Sequence, residues 1–182
     1  IQGLRPEAPV IYVGTFSKLL YPGLRIAYMV VPRWAASGLG EGIRKLYRGG
    51  QAVEQRALAR LLESGQLTRH LRRMAPLYRE RQAALRGALQ AGFGAGCPVL
   101  GGQAGLHLVL GLPASVPDTA LAEAALEQGL APRPLSAYYV GPTPGNGLVL
   151  GYGLTGVAHI PELVTRLVGV AEKVRKAGGV PS

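Results

Sequence analysis

Short apolar runs bounded by glycine and proline mark the predicted strands of this chain. Such runs are typical of buried strands, whereas a helix needs a longer repeat of apolar residues every three to four positions. Strands are predicted at residues 10–13, 26–31, 107–110, 130–131 and 148–152. The last two enclose a loop rich in proline and glycine at residues 132–147. The first two are close in sequence, so residues 14–25 are predicted to form a loop between two strands.

Apolar residues that recur every three or four positions predict four helices. These helices cover residues 52–64, 66–90, 118–128 and 159–177. We expect Asp118 to be the N-cap of the third helix. We expect Pro76 to kink or break the second helix near Ala75. Residues 32–47 are ambiguous, because three glycines weaken a helix there.

The order of these elements predicts an α/β fold. Strands around one loop come first, long helices follow, and the chain ends with strand, helix, strand and helix. Residues 51–182 are predicted to hold the long helices and a small α+β subdomain. The chain begins with Ile1 and not with Met, so we expect it to be a portion of a longer protein.

Composition excludes several classes of protein. The 182 residues are 48% hydrophobic and 16% charged, which is typical of a folded domain. No apolar run approaches the roughly 20 residues of a membrane span. The single cysteine, Cys97, excludes an internal disulfide and most metal clusters, and we expect a cytoplasmic protein. The net charge of +10 suggests nucleic-acid binding, but the arginines are scattered along helical stretches, so solvated helix faces are the better interpretation.

Candidate chemistry is concentrated in the loop at residues 14–25, which reads GTFSKLLYPGLR. Lys18 lies there between two hydroxyls, Thr15 and Ser17, and one arginine, Arg25. A lysine amine condenses with an aldehyde, and hydroxyls and a guanidinium bind phosphate, a set that suits pyridoxal 5'-phosphate (PLP). In an extended segment Thr15 and Ser17 would project to the same side. The alternative interpretation is a surface lysine in a turn rich in hydroxyls.

The loop resembles the lysine motif of fold-type-I PLP enzymes. Its nearest likeness is to aminotransferases acting on kynurenine and 2-aminoadipate, and closer still to the aminotransferase-like domain of MocR-type regulators of the GntR family. The motif is TFSK at residues 15–18 followed by PGLRIAY at residues 22–28. The resemblance implies the C-terminal portion of a fold-type-I PLP-dependent transferase domain, with residues 1–50 as the end of its large, PLP-binding part.

The resemblance also implies the roles of the loop residues. Lys18 is the catalytic lysine that carries PLP as an internal aldimine. Thr15, Ser17 and Arg25 bind the cofactor phosphate.

Further motifs favour the regulator branch of this family. They are EQRAL at residues 54–58, LTRHLRRM at 67–74 with Tyr78, GLH at 105–107, SAYY at 136–139 and LGY at 150–152. Each of these residue types also occurs as a packed or solvated side chain with no ligand. We therefore assign none of them to catalysis.

Two departures from the family pattern bear on activity. The resemblance implies that the N-terminal half of the domain, with the aspartate that pairs with the pyridine nitrogen, is not among these 182 residues. Val149 stands where amino-acid-transforming relatives place an arginine that binds the substrate carboxylate, and a valine offers no such fork. Arg133 is a candidate for carboxylate binding in its place.

Three functions are compatible with this reading. The leading hypothesis is an effector-sensing domain of a regulator, in which PLP itself or a small amine is the signal. DNA would be bound only through a winged helix-turn-helix domain that this chain does not contain. The alternative is a class I/II aminotransferase in which Lys18 moves protons between an amino acid and the cofactor. The third is a domain kept only for dimerisation, and the resemblance implies a homodimer in all three cases.

Overall fold

The computed structural model describes residues 8–48, 50–141 and 145–178. The chain forms two compact units that divide between Arg73 and Met74. The predicted boundary after residue 50 concerns subdomains of a longer fold and stays a prediction. No helix in the described ranges combines the length and the apolar character needed to cross a membrane.

The first unit contains a two-stranded antiparallel sheet followed by helices. Its strands and its 3₁₀ turn are β1 (Tyr12–Thr15), the turn Pro22–Leu24 and β2 (Ala27–Val30). Its helices are α1 (Arg33–Tyr47), α2 (Ala52–Glu63) and the start of α3 (Gln66–Phe93). Tyr12 pairs with Val30, and Thr15 pairs with Ala27. The two predicted strands are confirmed, the first of them two residues later than expected.

The ambiguous segment at residues 32–47 is a helix, α1. Three interior glycines each cost about 1 kcal/mol relative to alanine in a helix. Two local features offset part of that cost. Pro32 precedes the first turn, and Lys45 pairs with Glu41 one turn earlier at 2.8 Å.

The second unit is a four-stranded antiparallel sheet with helices. After the rest of α3 come β3 (Val99–Gly101), β4 (His107–Gly111), α4 (Asp118–Glu127), β5 (Arg133–Pro134), β6 (Gly147–Gly151) and α5 (Ile160–Gly178). The strand order is β3-β4-β6-β5. Strand β5 comes three residues later than predicted. The N–H of Leu130 donates to Ala125 O at 2.9 Å, so this residue belongs to the turn that ends α4 and the strand begins only after it.

The core of the second unit lies between one face of this sheet and the helices. Leu108, Leu110 and Leu148 are fully buried on that face. They pack against Leu85 and Leu89 of α3 and against apolar residues of α4 and α5. Alternation along β4 and β6 therefore gives the sheet a leucine face directed at the helices and a second face directed away from them.

Helix α3 runs through Pro76 without a break. Of the kink or break predicted near Ala75, the break is therefore wrong, and the kink stays a prediction. A proline at this position leaves the carbonyl of Arg72 without its helical donor. Both Arg72 and Pro76 are exposed. Water can therefore satisfy that carbonyl, and the helix continues.

The N-cap of α4 is Pro117 and not the predicted Asp118. Asp118 is the first residue of the helix and is buried. Its carboxylate accepts hydrogen bonds from Ser136 N (2.8 Å), Ser136 Oγ (2.9 Å) and Gly147 N (3.3 Å). The prediction fails because the partners of Asp118 lie far along the chain and not in the first turn of its own helix.

Candidate cofactor-binding site

The lysine loop, residues 16–26, connects β1 to β2. Phe16 N–H donates to Ile26 O at 3.1 Å, which continues the strand pairing one residue beyond Thr15 and Ala27. Ile26 is buried and anchors the end of the loop. The backbone that precedes Lys18 therefore lies beside the backbone that follows Arg25.

Lys18 lies in a tight turn at the start of this loop. The carbonyl of Phe16 accepts hydrogen bonds from Leu19 N (3.1 Å) and Leu20 N (2.9 Å), so the chain reverses around Ser17 and Lys18. Lys18 is exposed. The turn presents its amine to solvent instead of packing it into the unit.

The hydroxyls of Thr15 and Ser17 form a pair 3.0 Å apart. Thr15 Oγ1 also accepts a hydrogen bond from Ser17 N at 3.1 Å and lies 3.4 Å from Ile26 O. A hydrogen bond from the backbone to a side chain therefore closes a turn here. The extended backbone that the sequence predicted at Ser17 is wrong. The turn, and not the alternation of a strand, brings the two hydroxyls together.

Arg25 occupies the far end of the loop with a left-handed backbone (φ 51°). This conformation costs a residue other than glycine about 1 kcal/mol. It ends the 3₁₀ turn Pro22–Leu24 and redirects the chain into Ile26 and β2. The side chain of Arg25 is exposed, as is that of Lys18.

An aromatic cluster missed by the sequence analysis supports the hairpin from its other face. The ring of Tyr28 lies 5.9 Å from that of Tyr12 and 5.6 Å from that of Phe16. It also covers Gly14, the residue paired with it on β1. The hydrogen bond to Tyr12 is the main cause that raises the pKa of Tyr28 above 10.0, and the nearby Tyr12 charge and burial add to it. The available sequence signal was Gly14 directly after the predicted strand, but only the strand register shows that Tyr28 lies over it.

The arginine-rich motif at the start of α3 lines an open cleft of about 490 Å³ in the first unit. The lining residues are Leu20, Leu61, Gln66, Arg69, His70 and Arg73. Leu20 belongs to the lysine loop. The cleft is cationic, because its lining includes arginines and no carboxylate.

Val149 and Arg133 lie in the second unit. Val149 is on β6 and pairs with Arg133 on β5. On its other side Val149 pairs with Val109 of β4. The structure thus brings the two residues singled out by the sequence onto neighbouring strands.

Comparisons with known proteins agree with the lysine motif. The family described as "Aminotransferase class I and II" matches residues 1–148. The HTH-type transcriptional regulator YhdI of Bacillus subtilis is 35% identical over 84% of this chain and 33% of its own length. The probable rhizopine catabolism regulatory protein MocR of Rhizobium meliloti is 32% identical over 100% of this chain and 37% of its own. The chain thus spans about a third of each regulator.

A solved enzyme has the same fold. The α-aminoadipate aminotransferase LysN of Thermus thermophilus, in complex with N-(5'-phosphopyridoxyl)-L-leucine, superposes with a TM-score of 0.86 at 26% identity. The superposition covers 97% of this chain and 45% of the enzyme. The predicted fold class and the resemblance to MocR-type regulators are confirmed by these matches. The chain belongs to the aminotransferase class I and II family.

Proposed function

We propose that this chain is part of a PLP-binding, aminotransferase-like effector-sensing domain in a GntR/MocR-type transcriptional regulator. The observation that carries the proposal is the hydroxyl pair of Thr15 and Ser17 beside Lys18, with 3.0 Å between the oxygens. This pair occurs in a chain whose regulator relatives match most of its length. In this proposal the division after residue 50 separates the PLP-binding part from the helices and the small subdomain.

The donors of the lysine loop suit a phosphate. A phosphate dianion only accepts hydrogen bonds, and residues 15–26 include the aliphatic hydroxyls of Thr15 and Ser17 and the guanidinium of Arg25 but no carboxylate. Thr15 Oγ1 accepts from Ser17 N and donates to Ser17 Oγ, so the Ser17 hydroxyl keeps its own proton to donate to a phosphate. Arg25 would bind the phosphate with its planar fork, and Lys18 would hold the cofactor covalently. PLP, when bound, makes an attached amine electron-poor.

Sensing is favoured over turnover by Val149. An apolar side chain at this position cannot form the paired hydrogen bonds that orient a carboxylate. A ligand acts as a signal only where it binds one conformation of the regulator better than another. The signal would be PLP or a small amine, the DNA contacts would come from a helix-turn-helix domain, and the regulator would be a cytoplasmic homodimer.

A second candidate is an aminotransferase acting on an amino acid. It is favoured by the close superposition on LysN, whose fold is retained over 97% of this chain. The two candidates differ in one measurable quantity, the rate of amino-group transfer from an amino acid to a keto acid.

The test uses the full-length protein with PLP. Transamination of the common amino acids with 2-oxoglutarate is measured together with DNA affinity in the presence and absence of PLP. A sensor shows slow or absent transfer and a DNA affinity that changes with PLP in the wild type but not in Lys18→Ala. Rapid transfer, or a DNA affinity that ignores PLP, would overturn the sensing proposal. Lys45→Ala is the matched control, since Lys45 is an exposed lysine of α1.

A further inference from the structure

Most of the positive charge of this chain belongs to the first unit. Residues 1–73 contain 12 of the 20 basic residues but only 4 of the 10 acidic ones, so this unit carries +8 of the net charge of +10. The arginines that are scattered along the sequence are therefore unevenly divided between the two units. An excess of this size on one unit favours an anionic ligand there.

The start of α3 gathers part of this charge on one face of the helix. Four of the residues that line the open cleft of the first unit belong to this helix: Gln66, Arg69, His70 and Arg73. The last three follow the first at three, four and seven positions, which is the spacing of a single helix face. Leu67, by contrast, is buried. The helix thus lines the cleft with nitrogen-bearing side chains.

The remaining lining residues of the cleft are apolar and come from two other elements. Leu61 belongs to α2, and Leu20 belongs to the lysine loop. Leu20 is held in place by its N–H, which donates to Phe16 O at 2.9 Å. The volume of about 490 Å³ falls within the roughly 300–1,000 Å³ of small-molecule sites. The cleft therefore combines room for a ligand with polar groups on one element.

No carboxylate of the described residues pairs with the arginines of the cleft. The one ion pair that the described ranges contain joins Lys45 to Glu41 on α1. Arg69 and Arg73 are both exposed and lie four residues apart on the same helix, so their charges repel each other. An anion between them would remove this repulsion and accept hydrogen bonds from both guanidiniums.

We infer that the open cleft binds a phosphate group and that Arg69 and Arg73 are the residues that hold it. A phosphate monoester carries about two negative charges near neutral pH, which matches the two guanidiniums, and it has three acceptor oxygens where a carboxylate has two. Each guanidinium can form paired hydrogen bonds with phosphate. The Gln66 amide and the His70 imidazole add further donors. This phosphate differs from that of PLP, because the lysine motif at residues 15–25 supplies none of these donors.

Two sources carry this phosphate chemistry, a phosphorylated small molecule and the backbone of DNA, and the experiment has one arm for each. In the first arm, inorganic phosphate is titrated calorimetrically into the full-length protein at constant ionic strength. Saturating PLP is present, so that the cofactor site does not take up the probe. In the second arm, affinity for a short mixed-sequence DNA duplex is measured at several salt concentrations. Each phosphate contact adds about one to the slope of log affinity against log salt.

The cleft variant is the double substitution Arg69→Gln with Arg73→Gln. A small phosphorylated ligand predicts that inorganic phosphate binds about tenfold or more weakly to this variant, with the salt slope unchanged. DNA predicts a salt slope lower by about two, whether or not inorganic phosphate alone binds measurably. The double lysine variant keeps the charge but loses the planar fork, so it should fall between wild type and the glutamine variant.

Arg56→Gln with Arg60→Gln is the matched control, because these exposed arginines have the same spacing on α2 and do not line the cleft. Glutamine and arginine have similar helix propensities, so both double variants should keep the wild-type circular dichroism. Phosphate affinity and salt slope that both equal those of the wild type in the cleft variant would overturn the inference, as would equal losses in the control.

The inference goes beyond the proposed function and does not depend on it. If the proposed function fails, the wild-type protein does not retain PLP on Lys18. The difference between the cleft variant and its control would still be measured, because neither pair of substitutions alters the lysine loop. The two failures are therefore seen separately.

Discussion

Asn146 caps helix α4 from a position 28 residues beyond its start, because its Oδ1 accepts the backbone N–H of Asp118 at 2.9 Å. Its Nδ2 lies 2.9–3.2 Å from the carbonyl oxygens of Leu112, Pro113 and Val116. With the buried carboxylate of Asp118, this amide joins the start of β6 to the start of α4. The network fixes the strand that carries Val149.

Removing the Asp118 carboxylate should strongly destabilise the second unit. Asp118→Ala leaves the partly buried donors of Ser136 and the buried N–H of Gly147 without an acceptor. We expect a loss of about 3 kcal/mol in the free energy of unfolding. Ser136→Ala removes only one of the three donated bonds and should cost about 1 kcal/mol. Urea denaturation of the full-length protein measures both values. Equal stability of Asp118→Ala and wild type would show that the network does not hold the unit together.

Adding a methyl group at Gly14 should disturb the hairpin that carries the lysine loop. The new Cβ would lie 2.6 Å from the hydroxyl oxygen of Tyr28 and closer still to its ring, so the ring must shift from its place beside Tyr12 and Phe16. We expect Gly14→Ala to cost about 1–3 kcal/mol and to weaken PLP binding.

The control for Gly14 is Gly40→Ala in α1, where an added Cβ meets nothing within 4 Å. This change should stabilise the helix by up to about 1 kcal/mol. Thermal unfolding and PLP retention are compared for the two variants. Identical behaviour of both would contradict the role given to the Tyr28 ring.

The hydroxyl pair should be needed for the cofactor phosphate. Thr15→Val and Ser17→Ala each remove one donor, and each should weaken PLP binding by about fivefold to tenfold. Thr15→Val also removes the acceptor of Ser17 N, so it should have the larger effect. Ser64→Ala serves as the control, since this exposed hydroxyl donates to Leu61 O and lies outside the lysine loop. Equilibrium dialysis against PLP measures the dissociation constants of these variants. Unchanged PLP affinity in both loop variants would show that Thr15 and Ser17 do not bind the phosphate.

Much of the fold follows from local patterns, and the parts that were missed depend on long-range partners. The strands around Lys18 and the helices α2, α4 and α5 follow from apolar spacing and end signals. The three glycines of α1 made residues 32–47 ambiguous, although the segment is a helix. Asp118 looked like a local cap, but its partners lie 18 and 29 residues away.

The candidate site residues likewise include some that the sequence alone brings together and some that only the fold does. The lysine motif is contiguous, so the sequence contains Thr15, Ser17, Lys18 and Arg25 together. The pairing of Arg133 with Val149 depends on strand register, which a long loop between β5 and β6 does not determine. Only coordinates show that these two residues are neighbours.

The phenol of Tyr28 should titrate above its ordinary value. The hydrogen bond to Tyr12 raises its pKa above 10.0, since it favours the neutral form. The proton is then bound more tightly in the folded state, so this contribution to stability is complete below pH 10.0 and is lost as the pH rises through the folded pKa. Tyr12→Phe should bring the pKa of Tyr28 back toward 10.0. Ultraviolet difference titration of both proteins follows the change, and the same titration midpoint for Tyr28 in both would exclude the hydrogen bond as its cause.

The most direct measurement for the central claim is reduction of the PLP-loaded, full-length protein with borohydride, followed by peptide mapping. Residues 1–182 contain four lysines, Lys18, Lys45, Lys173 and Lys176, so the assignment within this chain is unambiguous. The account predicts one phosphopyridoxyl group, on Lys18, and none in Lys18→Ala. A label on any other residue, or no label on the wild-type protein, would contradict it.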